Sequence, residues 1–114
     1  MIIEIPVPLT AAQQVIKEMH LLLHRRRVGK TSRDWFLASW GRLRRRLETT
    51  PEYHAWRQAV LATTCGWCSE CNNTAVNCHH VVRIAMNPDR ALDVSNGVPL
   101  CRECHAAKHP KDGE

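Results

Sequence analysis

The chain has 114 residues, six cysteines, seven histidines and a formal charge of +5. This length suits one compact domain or a small module with an extension, and a core that small calls for an added staple. No apolar run reaches membrane-spanning length, and the apolar start Met1–Leu9 carries Glu4, Pro6 and Pro8 with no basic region and no small-residue cleavage site, which argues against a membrane span or a secretory signal.

In chain order, residues 1–9 read as extended, since Pro6 and Pro8 oppose an early helix. Thr10 is a fitting N-cap for a first helix to about Arg27, with Val15, Met19, Leu22 and Leu23 as its apolar stripe and Gly29 as a stop. Thr31 or Ser32 can cap a second helix to about Leu47, with Asp34 near its positive end. Trp35, Leu43 and Leu47 would share its inner face, broadened by Phe36 and Trp40. Thr50-Pro51-Glu52 opens a third helix to about Thr63, with Trp56, Ala59, Val60 and Thr63 facing inward. From Cys65 the composition shifts to Cys, Asn, Thr and Gly. Val81–Ile84 and Val98–Leu100 are short β-prone runs separated by a turn at Asn87-Pro88-Asp89. A last short helix begins near Arg102 and ends before Pro110.

Cys101-Arg102-Glu103-Cys104 is a Cys-x-x-Cys knuckle, and a second one is drawn from Cys65-Gly66-Trp67-Cys68 or from Cys68-Ser69-Glu70-Cys71. Two residues between thiolates let both sulfurs meet one ion from a tight turn, and two such turns complete the tetrahedron of a structural zinc. The cytoplasmic setting expected of a chain without an export signal keeps such thiols reduced, so metal binding is favoured over disulfides. Cys101-x-x-Cys104-His105 also matches the c-type haem attachment pattern, but that chemistry needs export and leaves the partner knuckle unexplained. A thioredoxin-like redox pair lacks its βαβ setting. Val28-Gly29-Lys30-Thr31 lacks the earlier glycine of a phosphate-binding loop, His24 standing there.

A zinc clamp has no use for His79-His80, Asn96, His105 and His109. With the motifs Cys68-x-x-Cys71, Cys78-His79-His80-Val81-Val82, Asn96-Gly97-Val98-Pro99-Leu100-Cys101 and Cys104-His105-Ala106-Ala107-Lys108-His109, the sequence resembles the HNH endonuclease family, the ββα-metal or His-Me finger nucleases. The resemblance spans roughly residues 53–109, including Tyr53-x-x-Trp56-Arg57-x-x-Val60-Leu61, which is similar to the helix preceding many phage-borne members. It implies that the clamp is Cys68, Cys71, Cys101 and Cys104, because counting from Cys71 puts His79 and His80 where the family has its pair. Cys65 and Cys78 are then spare thiols. It further implies His79 and His105 as ligands of a catalytic ion, His80 as the general base, and Asn96 as the residue that orients His80 and holds the loop. His109, one turn beyond His105, would complete the metal site or touch phosphate. The catalytic ion would be Mg²⁺ or another divalent ion (Mn²⁺, Ni²⁺ or Zn²⁺), apart from the structural Zn²⁺. The chain departs from the pattern at Gly97-Val98-Pro99, where Leu is commoner and Pro unusual; Pro99 points to an edge strand.

Charge is unevenly spread. Residues 1–64 carry eleven Lys/Arg against five Asp/Glu, and residues 65–114 five against six. A phosphate-binding surface would therefore come from the first half, from Arg25, Arg26, Arg27, Lys30, Arg44, Arg45 and Arg46. The bland alternative is a solvated helix face.

The expected architecture is α+β: a basic helical extension (1–63), a zinc-stapled ββα-metal module (64–110) and a disordered tail (111–114). The expected activity is hydrolysis of phosphodiesters in double-stranded DNA. The alternative is a non-catalytic zinc-ribbon DNA-binding or adaptor protein. By analogy with phage genomes, packaging or mobile-element proteins are the expected further partners.

Overall fold

A computed structural model describes residues 8–108. Its elements are α1 (Ala11–Arg27), α2 (Arg33–Glu48), α3 (Pro51–Ala62), β1 (Asn77–His80), β2 (Gly97–Leu100) and α4 (Arg102–Lys108), with two 3₁₀ turns at Pro88–Arg90 and Val94–Asn96. The expected α+β class is the observed one. The sequence 1–7, His109 and the tail 111–114 lie outside the described residues.

The helices begin where their caps place them. Thr10 and Gln13 form a reciprocal capping box, each side chain bonding the other's backbone N–H. Of the two candidates for the second cap, Ser32 takes the role, accepting from Trp35 N–H at 3.2 Å. Two helices end in the same way. At the end of α1, Lys30 N–H reaches Arg25 O and Gly29 N–H reaches Arg26 O, with Gly29 at φ 73°. After α3, Gly66 N–H reaches Leu61 O and Cys65 N–H reaches Ala62 O, with Cys65 itself at φ 52°. Both are Schellman endings, and the second puts a cysteine in the left-handed position that glycine usually fills. Cys65 thus has a structural place apart from any metal.

The chain divides into two compact units, Met1–Pro51 and Glu52–Glu114. In the first, α1 packs against α2; Ala12, Val15, Met19 and Leu22 are buried on α1, Leu43 and Leu47 on α2. Trp35, expected on the inner face, is instead 47% exposed and lies under the Arg25 guanidinium, 5.3 Å from its ring centre. Ser39 is the buried residue one turn further on, so the buried stripe of α2 runs past Trp35.

By this division α3 goes with the second unit. The physical reason is the docking of α3. The Trp56 indole N–H donates to Asp93 O at 2.8 Å, and the Arg57 guanidinium to Val76 O at 2.6 Å. Trp56 and Val60 are its buried residues; Ala59 and Thr63, expected beside them, are exposed.

β1 and β2 form a two-stranded antiparallel sheet in the register Asn77↔Leu100, Cys78↔Pro99, His79↔Val98 and His80↔Gly97. Val98–Leu100 is strand, as expected. Val81–Ile84 is not: the first strand lies just before it, on the more polar Asn77–His80. Register overrides propensity here. Val76 N–H bonds Leu100 O, Val81 N–H bonds Asn96 O, and beyond that the chain leaves its partner for a turn closed by Arg83 O. In a two-stranded sheet both strands are edges, and Pro99 is accommodated, its carbonyl accepting from Ser69 N–H at 2.9 Å. Asn87-Pro88-Asp89 forms a 3₁₀ turn, capped by Asn87 Oδ1 on Asp89 N–H.

Candidate active site and metal centre

Leu100 and Cys101 close the second strand, and α4 begins on the next residue. The first knuckle packs onto this junction, so that Cys68, Leu100 and Cys101 form a buried cluster flanked by Cys71, Val98 and Cys104. The sulfurs of Cys68, Cys71, Cys101 and Cys104 all lie within 4.8 Å of one another, and Cys71 and Cys101 are 3.5 Å apart. A tetrahedral zinc with bonds of roughly 2.3 Å requires sulfurs roughly 3.8 Å apart, so the cluster fits such an ion. Cys65 is not part of it.

The protonation of these thiols points the same way. Burial opposes ionisation of Cys68, but the backbone amides of Cys101, Glu70 and Cys71 outweigh it and bring its pKa down to about 6. The Asn73 amide favours a Cys71 thiolate, yet the thiols of Cys101 and Cys68, together with burial, hold Cys71 above the usual value. Cys104 is pushed up further, first by the Cys101 thiol and then by Cys68. One thiolate, Cys68, is easy to form, whereas Cys71 and Cys104 are held as thiols by their neighbours. A dication bonded to all four removes that conflict. Cys78 is a different case: burial raises its pKa, Arg57 offsets part of this, and its thiol donates to Arg57 O at 3.6 Å. It is a half-buried packing residue. Lys108 on α4 reaches Glu70 of the first knuckle at 2.8 Å, a further tie across the cluster.

Adjacent strand residues face opposite ways, and the two histidines of β1 do so. His79 turns toward α4, where its ring meets that of His105 edge to face at a centroid distance of 5.8 Å. His80 turns toward α3. Its ring stacks on the Trp56 indole at 4.3 Å and 14° between planes, and Tyr53 stands 6.4 Å away. His80 Nε2 lies 2.9 Å from Ala91 O. A carbonyl oxygen can only accept, so Nε2 carries the proton, and in the neutral ring Nδ1 is left as the lone-pair nitrogen.

Asn96 is fully buried. Its Oδ1 accepts from Val82 N–H at 2.7 Å, and its Nδ2 donates to Val82 O and Arg90 O at 3.0 Å each. The side chain pins the segment after β1 to the 3₁₀ turn before Ala91. Its connection to His80 therefore runs through backbone: Asn96 holds Arg90, and the next carbonyl takes the imidazole. Sequence reasoning had no means of finding Ala91, which contributes a main-chain oxygen, nor the stacking role of Trp56. His79, His80, Asn96 and His105 are thus brought together around the hairpin. His109 lies outside the described residues.

The basic residues sit in the first unit. Arg25, Arg26, Arg27, Lys30, Arg45 and Arg46 are exposed, and Arg44 is half-buried. Several are engaged locally: Arg25 over Trp35, Arg26 over Phe36, Arg44 with Glu48 at 3.5 Å, and Arg46 in a two-pronged bond to Glu18 at 2.9 Å. Among the described residues, no helix is long and apolar enough to cross a membrane.

A cysteine-stapled hairpin and helix, with paired strand histidines facing opposite ways, defines a ββα-metal module. Residues 65–111 match the model of the family described as HNH endonuclease. Among solved structures it is similar to a crystal structure of the HNH endonuclease of the deep-sea thermophilic bacteriophage GVE2 with manganese ion, at a TM-score of 0.63 and 24% identity. That likeness covers 72% of this chain and 95% of the other, so the shared fold reaches beyond residues 65–111. No curated protein matches the chain.

Proposed function

We propose that this protein is a divalent-metal-dependent endonuclease that hydrolyses phosphodiester bonds of double-stranded DNA, with His80 as general base. The observation that carries this is the state of His80: Nε2–H is committed to Ala91 O, and Nδ1 is left with its lone pair. A base must present a lone pair in a fixed direction, and a neutral imidazole near pH 7 carries one. The family-model match over residues 65–111 and the likeness to a phage HNH endonuclease crystallised with manganese ion support the reading.

His79 and His105 would hold the catalytic ion, with His109 as a further candidate. Two neutral imidazoles suit first-row divalent ions, and the remaining positions would go to water and phosphate oxygens. When bound, the ion supplies positive charge to the scissile phosphate and the departing oxygen. His80 Nδ1 takes a proton from the attacking water. The water oxygen bonds to phosphorus, and the bond from phosphorus to one bridging ester oxygen breaks. The imidazolium so formed is stabilised by Ala91 O, which already faces Nε2–H. Asn96 keeps that carbonyl in place through Arg90. The four-cysteine cluster, best suited to zinc, ties the hairpin to α4 and so holds His79 near His105. Arg25, Arg26, Arg27, Lys30, Arg44, Arg45 and Arg46 would contact phosphates.

The test is plasmid nicking across Mg²⁺, Mn²⁺, Ni²⁺ and Zn²⁺, wild type against His80→Ala. Loss of cleavage with retained fold and cysteine-bound metal is expected. Undiminished cleavage by His80→Ala would remove His80 as base. Absence of cleavage by the wild type in every metal would favour the non-catalytic DNA-binding or adaptor reading.

A further inference from the structure

Gly97 stands where the family pattern more often has leucine, and it lies directly opposite His80 in the sheet. Its backbone asks for no glycine, since φ is −114°. Space does. A Cβ built there would stand 2.9 Å from the Trp56 ring and would overlap Val60. Cross-strand partners share a face. The slot that a side chain of residue 97 would occupy beside His80 is therefore filled from outside the sheet, by the indole of α3. That indole is itself tied down. It is 3% exposed, and its N–H donates to Asp93 O, two residues from the carbonyl that receives His80.

We propose that Trp56 is a positioning residue for His80, seated in the cross-strand gap left by Gly97. The indole fixes the plane of the imidazole, Ala91 O fixes its edge, and the Trp56–Asp93 bond locks the two supports into one frame. The ring can then neither flip nor rotate, and Nδ1 keeps one direction. This inference rests on the reading of His80 as the base. It adds that the orientation is set from α3, a helix that lies before the stretch matched by the family model.

The test uses the full chain with Trp56→Leu and Trp56→Phe. It reads the ¹⁵N shifts of the His80 imidazole, which report the tautomer without any turnover, and separates kcat from KM in plasmid nicking. Trp56→Leu removes the flat face, so the Nδ1–H tautomer is expected to appear alongside Nε2–H. Its kcat is expected to fall about tenfold or more, because a catalytic group has lost its aim. KM should stay within about twofold, since no substrate contact is removed. Trp56→Phe, which keeps an aromatic face, should recover most of both losses. Trp56→Leu with an unchanged tautomer, or with wild-type kcat, overturns the proposal. If Trp56→Leu does not fold, Gly97→Ala carries the test, because it crowds the indole while leaving it in the core; the same two readouts decide. Full activity of His80→Ala would overturn the base assignment alone, and the ¹⁵N shifts would still decide whether Trp56 sets the ring.

Discussion

Replacing Asn96 by aspartate should be worse than cutting it back to alanine, although aspartate has the same shape. Asn96 is fully buried and spends its amide on three backbone groups: it accepts from Val82 N–H and donates to Val82 O and Arg90 O. Asn96→Asp keeps the first bond. It turns the two-donor NH₂ into an oxygen facing two carbonyl oxygens. Two hydrogen bonds worth about 1 kcal/mol each are lost. A carboxylate is also left buried beside acceptors, and the net expectation is a loss of about 3–5 kcal/mol at pH 7. Asn96→Ala loses three bonds and opens a small void, for about 2–4 kcal/mol. The aspartate variant should regain ground in acid. Its carboxyl would have a folded pKa raised above the unfolded one, so the charge part of the penalty is absent below the unfolded value and grows as pH rises toward the folded value. Urea denaturation of metal-loaded protein at pH 7 and pH 5, followed by far-UV circular dichroism, reads these differences against wild type. An Asn96→Asp protein within about 1 kcal/mol of wild type at pH 7 would refute the hydrogen-bond accounting.

The clamp assignment predicts opposite results at two neighbouring cysteines. Cys71→Ser should lower the bound zinc and the melting temperature together, whereas Cys65→Gly should leave the metal content unchanged and stabilise by about 0.5–1 kcal/mol, because residue 65 holds a positive φ; elemental analysis and thermal melts check both. The Arg46–Glu18 bond holds the Glu18 carboxyl below its usual pKa, first through the hydrogen bond itself, with burial opposing and the Arg46 charge adding to it. A depressed folded pKa means that the contribution is present above the ordinary carboxylate value and is lost as pH falls through the folded one. Both groups are exposed, so Glu18→Gln should cost about 0.2–1 kcal/mol at neutral pH and nothing measurable once Glu18 is protonated, as denaturation at pH 7 and pH 3 would show.

The parts that were legible in the sequence are those written by local chemistry. Thr10 with Gln13, Ser32 with Asp34, and Thr50-Pro51-Glu52 each announce a helix start from within a single turn. The cysteine spacing announces a metal, because two residues between sulfurs is a local geometric demand. What stayed hidden was set by partners distant along the chain. Val81–Ile84 has the better strand composition, yet the strand is Asn77–His80, because register with Gly97–Leu100 decides it. Trp56 reads as a core residue and is one, but a helical periodicity does not say that its face is spent on a histidine of β1. Ala91 acts through a carbonyl, which every residue has. One signal did exist: Gly97 departs from the usual leucine, and a glycine that its φ does not require marks a place where another element comes close.

That close approach can be tested without reference to catalysis. The two faces of β1 have separate supports, the cysteine cluster on the His79 side and α3 on the His80 side. If Val60 and Trp56 truly fill the slot over Gly97, the effects of Gly97→Ala and Val60→Ala must not add. Gly97→Ala forces a methyl into Val60 and against Trp56, an overpacking cost of about 1–3 kcal/mol. Val60→Ala empties a fully buried site, at a cost of about 1–2 kcal/mol. In the double variant the new methyl enters the space that Val60 gives up, so the total should fall short of the sum by about 1 kcal/mol or more. Relief should be incomplete, because the contact with the indole at 2.9 Å remains. Denaturation of the four proteins closes the cycle. Strict additivity would mean that α3 does not dock on Gly97, and the frame around His80 would then lose the helix that holds it.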